Sequence, residues 1–168
     1  MGVWIALSLW VAANSNVNHL PTLTHVRTAE AEIRELIADG YVRSATFRQL
    51  VDGVEGLSCV VYIARTARLS QGMNGALLHS AVGRSDMPIL RILLKASLSG
   101  DEAIATIGHE LQHVVEADGA SNARAIAAAF DELDSTARTG SIRKYETEAA
   151  VDITWKVRTE LRRAARRR

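Results

Sequence analysis

The sequence is poor in cysteine, proline and aromatic residues, and each shortage excludes a class of protein. Cys59 is the only cysteine among 168 residues, so the chain can form neither an intramolecular disulfide nor a cysteine cage for a metal ion. Two prolines and 5% aromatic residues exclude a proline-rich ligand and a base-stacking module. The 20 basic and 19 acidic residues give a net charge of +1, which argues against nucleic acid as a partner.

Long hydrophobic runs are also missing. No stretch approaches the roughly 18 apolar residues that a membrane-spanning helix needs. Residues 3–13 form an apolar run of 11, VWIALSLWVAA, which ends in small residues. Such a run is typical of the hydrophobic region of a signal peptide. We therefore predict a signal peptide over 1–13, a polar linker over 14–27 and an exported protein, periplasmic or secreted, with no transmembrane span.

The remaining chain, residues 28–168, is predicted to form one α+β domain. With 48% hydrophobic and 23% charged residues in the whole chain, it has the composition of a globular protein with a buried core. A helix begins near Thr28, with Ile33 and Ile37 at helical spacing and Gly40 at the position of a C-cap. A second short helix follows Ser44.

Three segments rich in β-forming residues come next, at 57–63, 76–82 and 89–95, with glycine, serine, asparagine and aspartate between them. They predict a small antiparallel sheet of about three strands. Ser99 and Glu102 then fit a capping box that starts a helix running to about residue 119. Two more helices are predicted, over about 122–133 and from about 145 into a basic tail, which we interpret as a solvated helix end.

The helix that follows Ser99 carries the one motif with a clear chemistry, His109-Glu110-Leu111-Gln112-His113. Histidines four residues apart on a helix project from the same face, so both imidazoles can reach one Zn²⁺ ion. Glu110 is displaced around the helix, where it can act as general base on a water that the metal activates. The apolar residues of this helix fall on the side opposite the histidines, which predicts that the histidines face a cleft.

A catalytic zinc site needs a third protein ligand. No histidine follows His113, so a downstream carboxylate is the better candidate: Glu116, Glu146 or Glu148. Glu116 shares the histidine face but lies a turn further on, and we predict that it supports a ligand from the second shell. On a helical wheel, Glu146 heads the apolar stripe of the last helix, whereas Glu148 points the other way. We therefore prefer Glu146 as the ligand and keep Glu148 as the alternative.

These residues resemble the gluzincin metallopeptidases, whose third zinc ligand is a glutamate from a later helix. Many gluzincins carry it in a Glu-x-x-x-Asp arrangement, which implies Glu148 with Asp152 in support. Small gluzincin-like proteins with alanine three residues after the ligand match Glu146 instead. The chain also looks like small exported bacterial proteins of unassigned function that pair a GHELQH helix with an aromatic-Glu-Thr segment. Over residues 28–161 the resemblance implies a zincin-like fold.

The resemblance further implies a strand at the sheet edge that holds an extended substrate, for which residues 89–95 are the nearest candidate in sequence. Tyr145 and His79 are the candidates for stabilising the oxyanion. The predicted function is zinc-dependent hydrolysis of a peptide or protein substrate. Two alternatives stay open: a non-catalytic zincin-like module for metal binding or interaction, and a structural or lipid-surface protein that uses the basic tail.

Overall fold

The computed structural model describes residues 21–79, 87–118, 138–139, 142–143 and 146–167. The predicted signal peptide, the first part of the predicted linker, the predicted helix at 122–133 and Tyr145 lie outside these residues. The described chain is α+β, with four helices, a four-stranded mixed sheet and a separate two-stranded pair. None of the helices in this part of the chain is long and apolar enough to cross a membrane.

Two helices open the domain. Helix α1 spans Ala31–Arg43 and α2 spans Ala45–Glu55. The Ser44 hydroxyl caps α2 by accepting a hydrogen bond from the Phe47 amide at 3.0 Å. The last residues of the predicted linker belong to the sheet, because Val26–Arg27 form strand β1. The Glu55 carboxylate fixes this segment by accepting hydrogen bonds from the backbone N–H groups of residues 24 to 26.

The structure corrects the role predicted for Gly40, which lies inside α1 rather than at its C-cap. A Cβ at this position would come within 2.6 Å of the Ile104 side chain and 2.9 Å of the Phe47 ring. Glycine therefore lets α1 approach its neighbours closely. A glycine near the end of a helical pattern is compatible both with a C-cap and with a close contact inside the helix, so the sequence alone does not distinguish the two.

The central sheet contains strands β1, β2 (Val60–Thr66), β3 (Gly75–His79) and β4 (Ile89–Lys95) in the order β1-β2-β4-β3. The prediction of a small sheet is confirmed, with four strands where about three were expected, but the prediction that it is antiparallel is wrong. β1 pairs with β2, and β2 with β4, in parallel; only β3 is antiparallel to its neighbour. Helices α1 and α2 connect β1 to β2, which allows these two strands to run in parallel, and β3, which lies between β2 and β4 in sequence, is the strand that runs in the opposite direction.

Strand β4 lies in the interior of this sheet, and β3 lies at its end. The expectation that residues 89–95 form the substrate-binding edge is therefore wrong, since the edge strand beside the site is β3. In β4, Leu90, Ile92 and Leu94 are buried and alternate with exposed or half-buried residues. Their side of the sheet contributes to the hydrophobic core together with the helices.

Helix α3 spans Gly100–Glu116 and is the centre of the domain. Its first residue is Gly100, with a φ of 53°, and Ser99 makes no side-chain capping bond, so the predicted capping box does not form. The helix is buried on nearly all sides between the sheet and the last helix, α4, which spans Glu148–Ala165. Strands β5 (Arg138–Thr139) and β6 (Ile142–Arg143) form the separate antiparallel pair.

Candidate metal centre

The two histidines of the motif lie side by side near the end of α3. Their Nε2 atoms are 3.2 Å apart, and their rings meet edge to face. His113 is 4% exposed, because α3 is covered by the sheet and by α4 at this point. His109 is half-buried and faces the start of α4. The two histidines thus share one face of α3 as predicted, although that face is more enclosed than the open cleft that was expected.

Each histidine is oriented by a partner at its Nδ1 atom. His109 Nδ1 lies 3.1 Å from the Ala150 carbonyl oxygen and 3.0 Å from the Thr154 hydroxyl. The Thr154 hydroxyl itself donates to the Ala150 carbonyl at 3.0 Å. A carbonyl can only accept, so His109 donates from Nδ1, and its neutral form would present a lone pair at Nε2. Helix α4 therefore sets the tautomer of a histidine on α3.

His113 is held by Glu116, one turn later on the same helix. Its Nδ1 lies 2.8 Å from Glu116 Oε2. Burial by itself raises the pKa of the Glu116 carboxyl, but hydrogen bonds from His113, Thr147 and Gln112 outweigh it, and the net pKa lies below its usual value. An ionised carboxylate can only accept, so His113 also donates from Nδ1, and its neutral form would present a lone pair at Nε2.

Glu146 completes the group. Its Oε1 lies 3.2 Å from His109 Nε2, and one ligand atom from each of His109, His113 and Glu146 lies within 4.8 Å of the others. Two ligands bound at 2.0 to 2.1 Å to a tetrahedral ion are about 3.3 Å apart, close to the two shorter separations seen here. Three electron-pair donors thus converge on one point. The residues fit a bound cation, and these three lie close enough to hold one.

The segment that carries Glu146 differs from the prediction. Glu146 was expected in the first turn of the last helix, but α4 starts at Glu148 and Thr147 is its N-cap. The Thr147 hydroxyl accepts from the Ala150 amide at 3.1 Å and donates to Glu116 Oε1 at 2.8 Å. Glu116 is therefore bound both to His113 and to the residue next to Glu146. This link between the end of α3 and the start of α4 could not be seen in the sequence.

Glu148, the alternative ligand, is exposed and is not part of the group of three. It lies in the first turn of α4, where its charge suits the helix dipole. Asp152, one turn later, is also exposed. Neither residue of the Glu-x-x-x-Asp arrangement takes part in the described group, whereas Glu146 does.

Glu110 lies in a cleft of about 150 Å³ that also includes His109 and Glu146. The carboxylate is 5% exposed and faces strand β3 across the cleft. A Cβ on Gly75 would stand 2.5 Å from Glu110 Oε1 and 2.8 Å from the Thr106 methyl group. The absence of a side chain at Gly75 therefore leaves the space that the Glu110 carboxylate occupies.

His79 is the last residue of β3, and Tyr145 lies outside the described residues. Arg158 of α4, a cationic side chain that was not among the predicted site residues, lines the same cleft. The signal that could have found it is its position four residues after Thr154, on the face that meets α3.

Comparison of the chain with models of protein families, with curated proteins and with solved structures finds no match. The assignment of a function therefore rests on the geometry of His109, His113, Glu146 and Glu110 in this chain.

Proposed function

We propose that the protein is a zinc-dependent peptide hydrolase with a gluzincin-like site. Zn²⁺ would be held by His109, His113 and Glu146, and Glu110 would be the general base. The observation that carries the proposal is the convergence of three ligand atoms, two of whose residues, His109 and Glu146, line the same cleft as a second carboxylate, Glu110. A purely structural site would need no buried Glu110 next to the ligands.

The donor set favours zinc among common metal ions. Two imidazole nitrogens and one carboxylate oxygen form the His₂Glu set of catalytic zinc sites, which keep the fourth position open. When bound, zinc would polarise a substrate carbonyl and make a neighbouring water more acidic. Glu116 and the Ala150 carbonyl would keep both ligand histidines in the tautomer that presents Nε2, as the partners of zinc-binding histidines commonly do.

Glu110 would then move the protons of the reaction. From the cleft that it shares with two of the ligands it would accept a proton from the attacking water and return it to the departing amine, so that the peptide bond is broken with no net gain of protons by the protein. Glu110 is buried and lines the cleft together with His109 and Glu146, which agrees with this role. Gly75 on the opposite wall would keep the carboxylate in place.

Strand β3 is the surface on which an extended peptide would lie. Within the described residues it pairs only with β4, so its other edge is available for main-chain hydrogen bonds with a substrate. Residues 72 to 75, which lead into this strand, form one wall of the cleft. This arrangement would bring a bound peptide past Glu110 and the ligands.

The test is hydrolysis of a library of internally quenched peptides by the zinc-loaded full chain and by E110Q. We expect E110Q to keep its zinc and to lose about 100-fold to 10,000-fold of the turnover, because general acid–base catalysis contributes about that much. Equal turnover by both proteins would refute the role of Glu110. Stoichiometric zinc without turnover by the wild type would favour the alternative function, a non-catalytic metal-binding module.

A further inference from the structure

Arg158 is the one side chain with a permanent positive charge among the described residues that line the cleft. It lies on α4, four residues after Thr154, whose hydroxyl contacts the ligand His109. Four residues of helix are about 6 Å, so Arg158 follows the metal centre by one turn on the same face of α4. The cleft therefore has acidic groups at one end, Glu110 and Glu146, and a guanidinium near the other.

The position of Arg158 is fixed by two neighbours. Its Nη2 donates to Glu102 Oε2 at 2.6 Å, and its Cζ lies 5.9 Å from the centre of the Trp155 ring. Glu102 is seven residues before His109 on α3, which corresponds to about 10 Å along the helix. The guanidinium thus lies about two helical turns from the metal centre, measured along the groove between α3 and α4.

The ion pair with Glu102 can be exchanged for another at little cost. The Glu102 side chain is 53% exposed, and ion pairs with such exposed partners contribute little to stability. A guanidinium has five N–H donors in a planar fork, and the pair with Glu102 uses one of them. The Arg158 side chain is 28% exposed, so part of the guanidinium can be reached from the cleft although its Nε is buried. Arg158 is therefore held in place but keeps capacity for a second carboxylate.

We infer that Arg158 forms a carboxylate-binding subsite, and that the substrates are peptides with a carboxylate two to three residues from the cleaved bond. The position of the cleaved bond is taken from the proposed function, on which this inference therefore rests. An extended peptide advances about 3.3 Å per residue, so two to three residues span the distance of roughly 6 to 10 Å from the ligands to the guanidinium. The carboxylate is either the C-terminal group or the side chain of aspartate or glutamate.

Binding is measured by calorimetry with the zinc-loaded full-length E110Q variant, so that no peptide is consumed. The probes are matched four-residue peptides: one with a free C-terminal carboxylate, one with a C-terminal amide, and amidated peptides with Glu or Gln at each position in turn. We expect the carboxylate at the correct position to bind about tenfold to a hundredfold more tightly than its neutral counterpart. The free acid and the Glu series distinguish the two sources of the carboxylate.

Three second-site variants in the E110Q background assign that preference to the subsite. R158Q should remove it and leave binding of the amidated neutral peptide within about twofold. R162Q, which removes an exposed arginine one turn later on α4, should leave it unchanged. E102Q should increase it, because Glu102 competes with the peptide for the guanidinium. A preference that persists in R158Q, or the absence of any preference, overturns the inference. A preference that depends on Arg158 without turnover by the wild type supports the subsite and refutes only the hydrolase.

Discussion

Substitution of Gly75 by alanine tests whether the close approach of β3 to Glu110 matters for activity. The new Cβ would stand 2.5 Å from Glu110 Oε1 and 2.8 Å from the Thr106 methyl group, whereas ordinary contacts begin near 3.4 Å. The carboxylate, or the strand, must therefore move by several tenths of an ångström up to about 1 Å. A displacement of about 1 Å at a reacting group can reduce the rate by about 100-fold.

We expect G75A to lose about tenfold to 100-fold in kcat while it keeps its zinc and most of its stability. The carboxylate is the flexible end of a side chain and can yield more cheaply than backbone. Zinc content is determined by mass spectrometry, kcat with a quenched peptide, and unfolding by urea titration. G53A is the matched control, because no atom lies within 4 Å of a Cβ there. Full activity in G75A, or loss of its zinc, would refute the reasoning.

Three further predictions concern the frame that holds the site. G40A should lower the free energy of unfolding, measured by urea titration, by about 1–3 kcal/mol, because the new methyl group overpacks the contact with Ile104 and Phe47. G53A should raise it by up to about 1 kcal/mol, because alanine favours the helix more than glycine does. Destabilisation of the same size in both variants would contradict the close packing at Gly40. Glu160 accepts hydrogen bonds from the start of α2, and these hold its pKa below the usual value although burial raises it. Its contribution to stability should therefore be present at neutral pH and be lost as the pH falls through that lowered pKa, so that E160Q should lose less stability than the wild type in acid unfolding. E116Q should weaken zinc binding by about tenfold to 100-fold in a chelator competition, because His113 loses the carboxylate that orients it; unchanged affinity would contradict that role.

Local patterns predicted the part of the site that lies on one helix. The spacing of His109 and His113 fixes which face they share, whatever the helix packs against, and the structure places both where that spacing requires. Glu146 was selected because of its place on an apolar stripe, but it precedes α4 and reaches the histidines from the position before the N-cap Thr147. Glu146 therefore lies beside the histidines as predicted, but it does not belong to the helix in which it was predicted.

What the sequence could not provide was the arrangement of separate segments. Strand β1 has only two residues and lies in a polar stretch of the sequence, so it shows no strand pattern, and its parallel pairing with β2 was not predicted. The order of β3 and β4 in the sheet depends on how the chain crosses over the helices, and no local signal indicates it. Contacts such as Glu116 with Thr147 and Arg158 with Glu102 depend on that same packing of α3 against α4.

The central claim is that His109, His113 and Glu146 together hold one zinc ion. The most direct test is the metal content of the full-length wild type, H113A, E146A and E148A after dialysis against a weak chelator. We predict one equivalent of zinc in the wild type and in E148A, and a substantial loss in H113A and E146A. Zinc retained by E146A and lost by E148A, or no bound zinc in the wild type, would contradict the account.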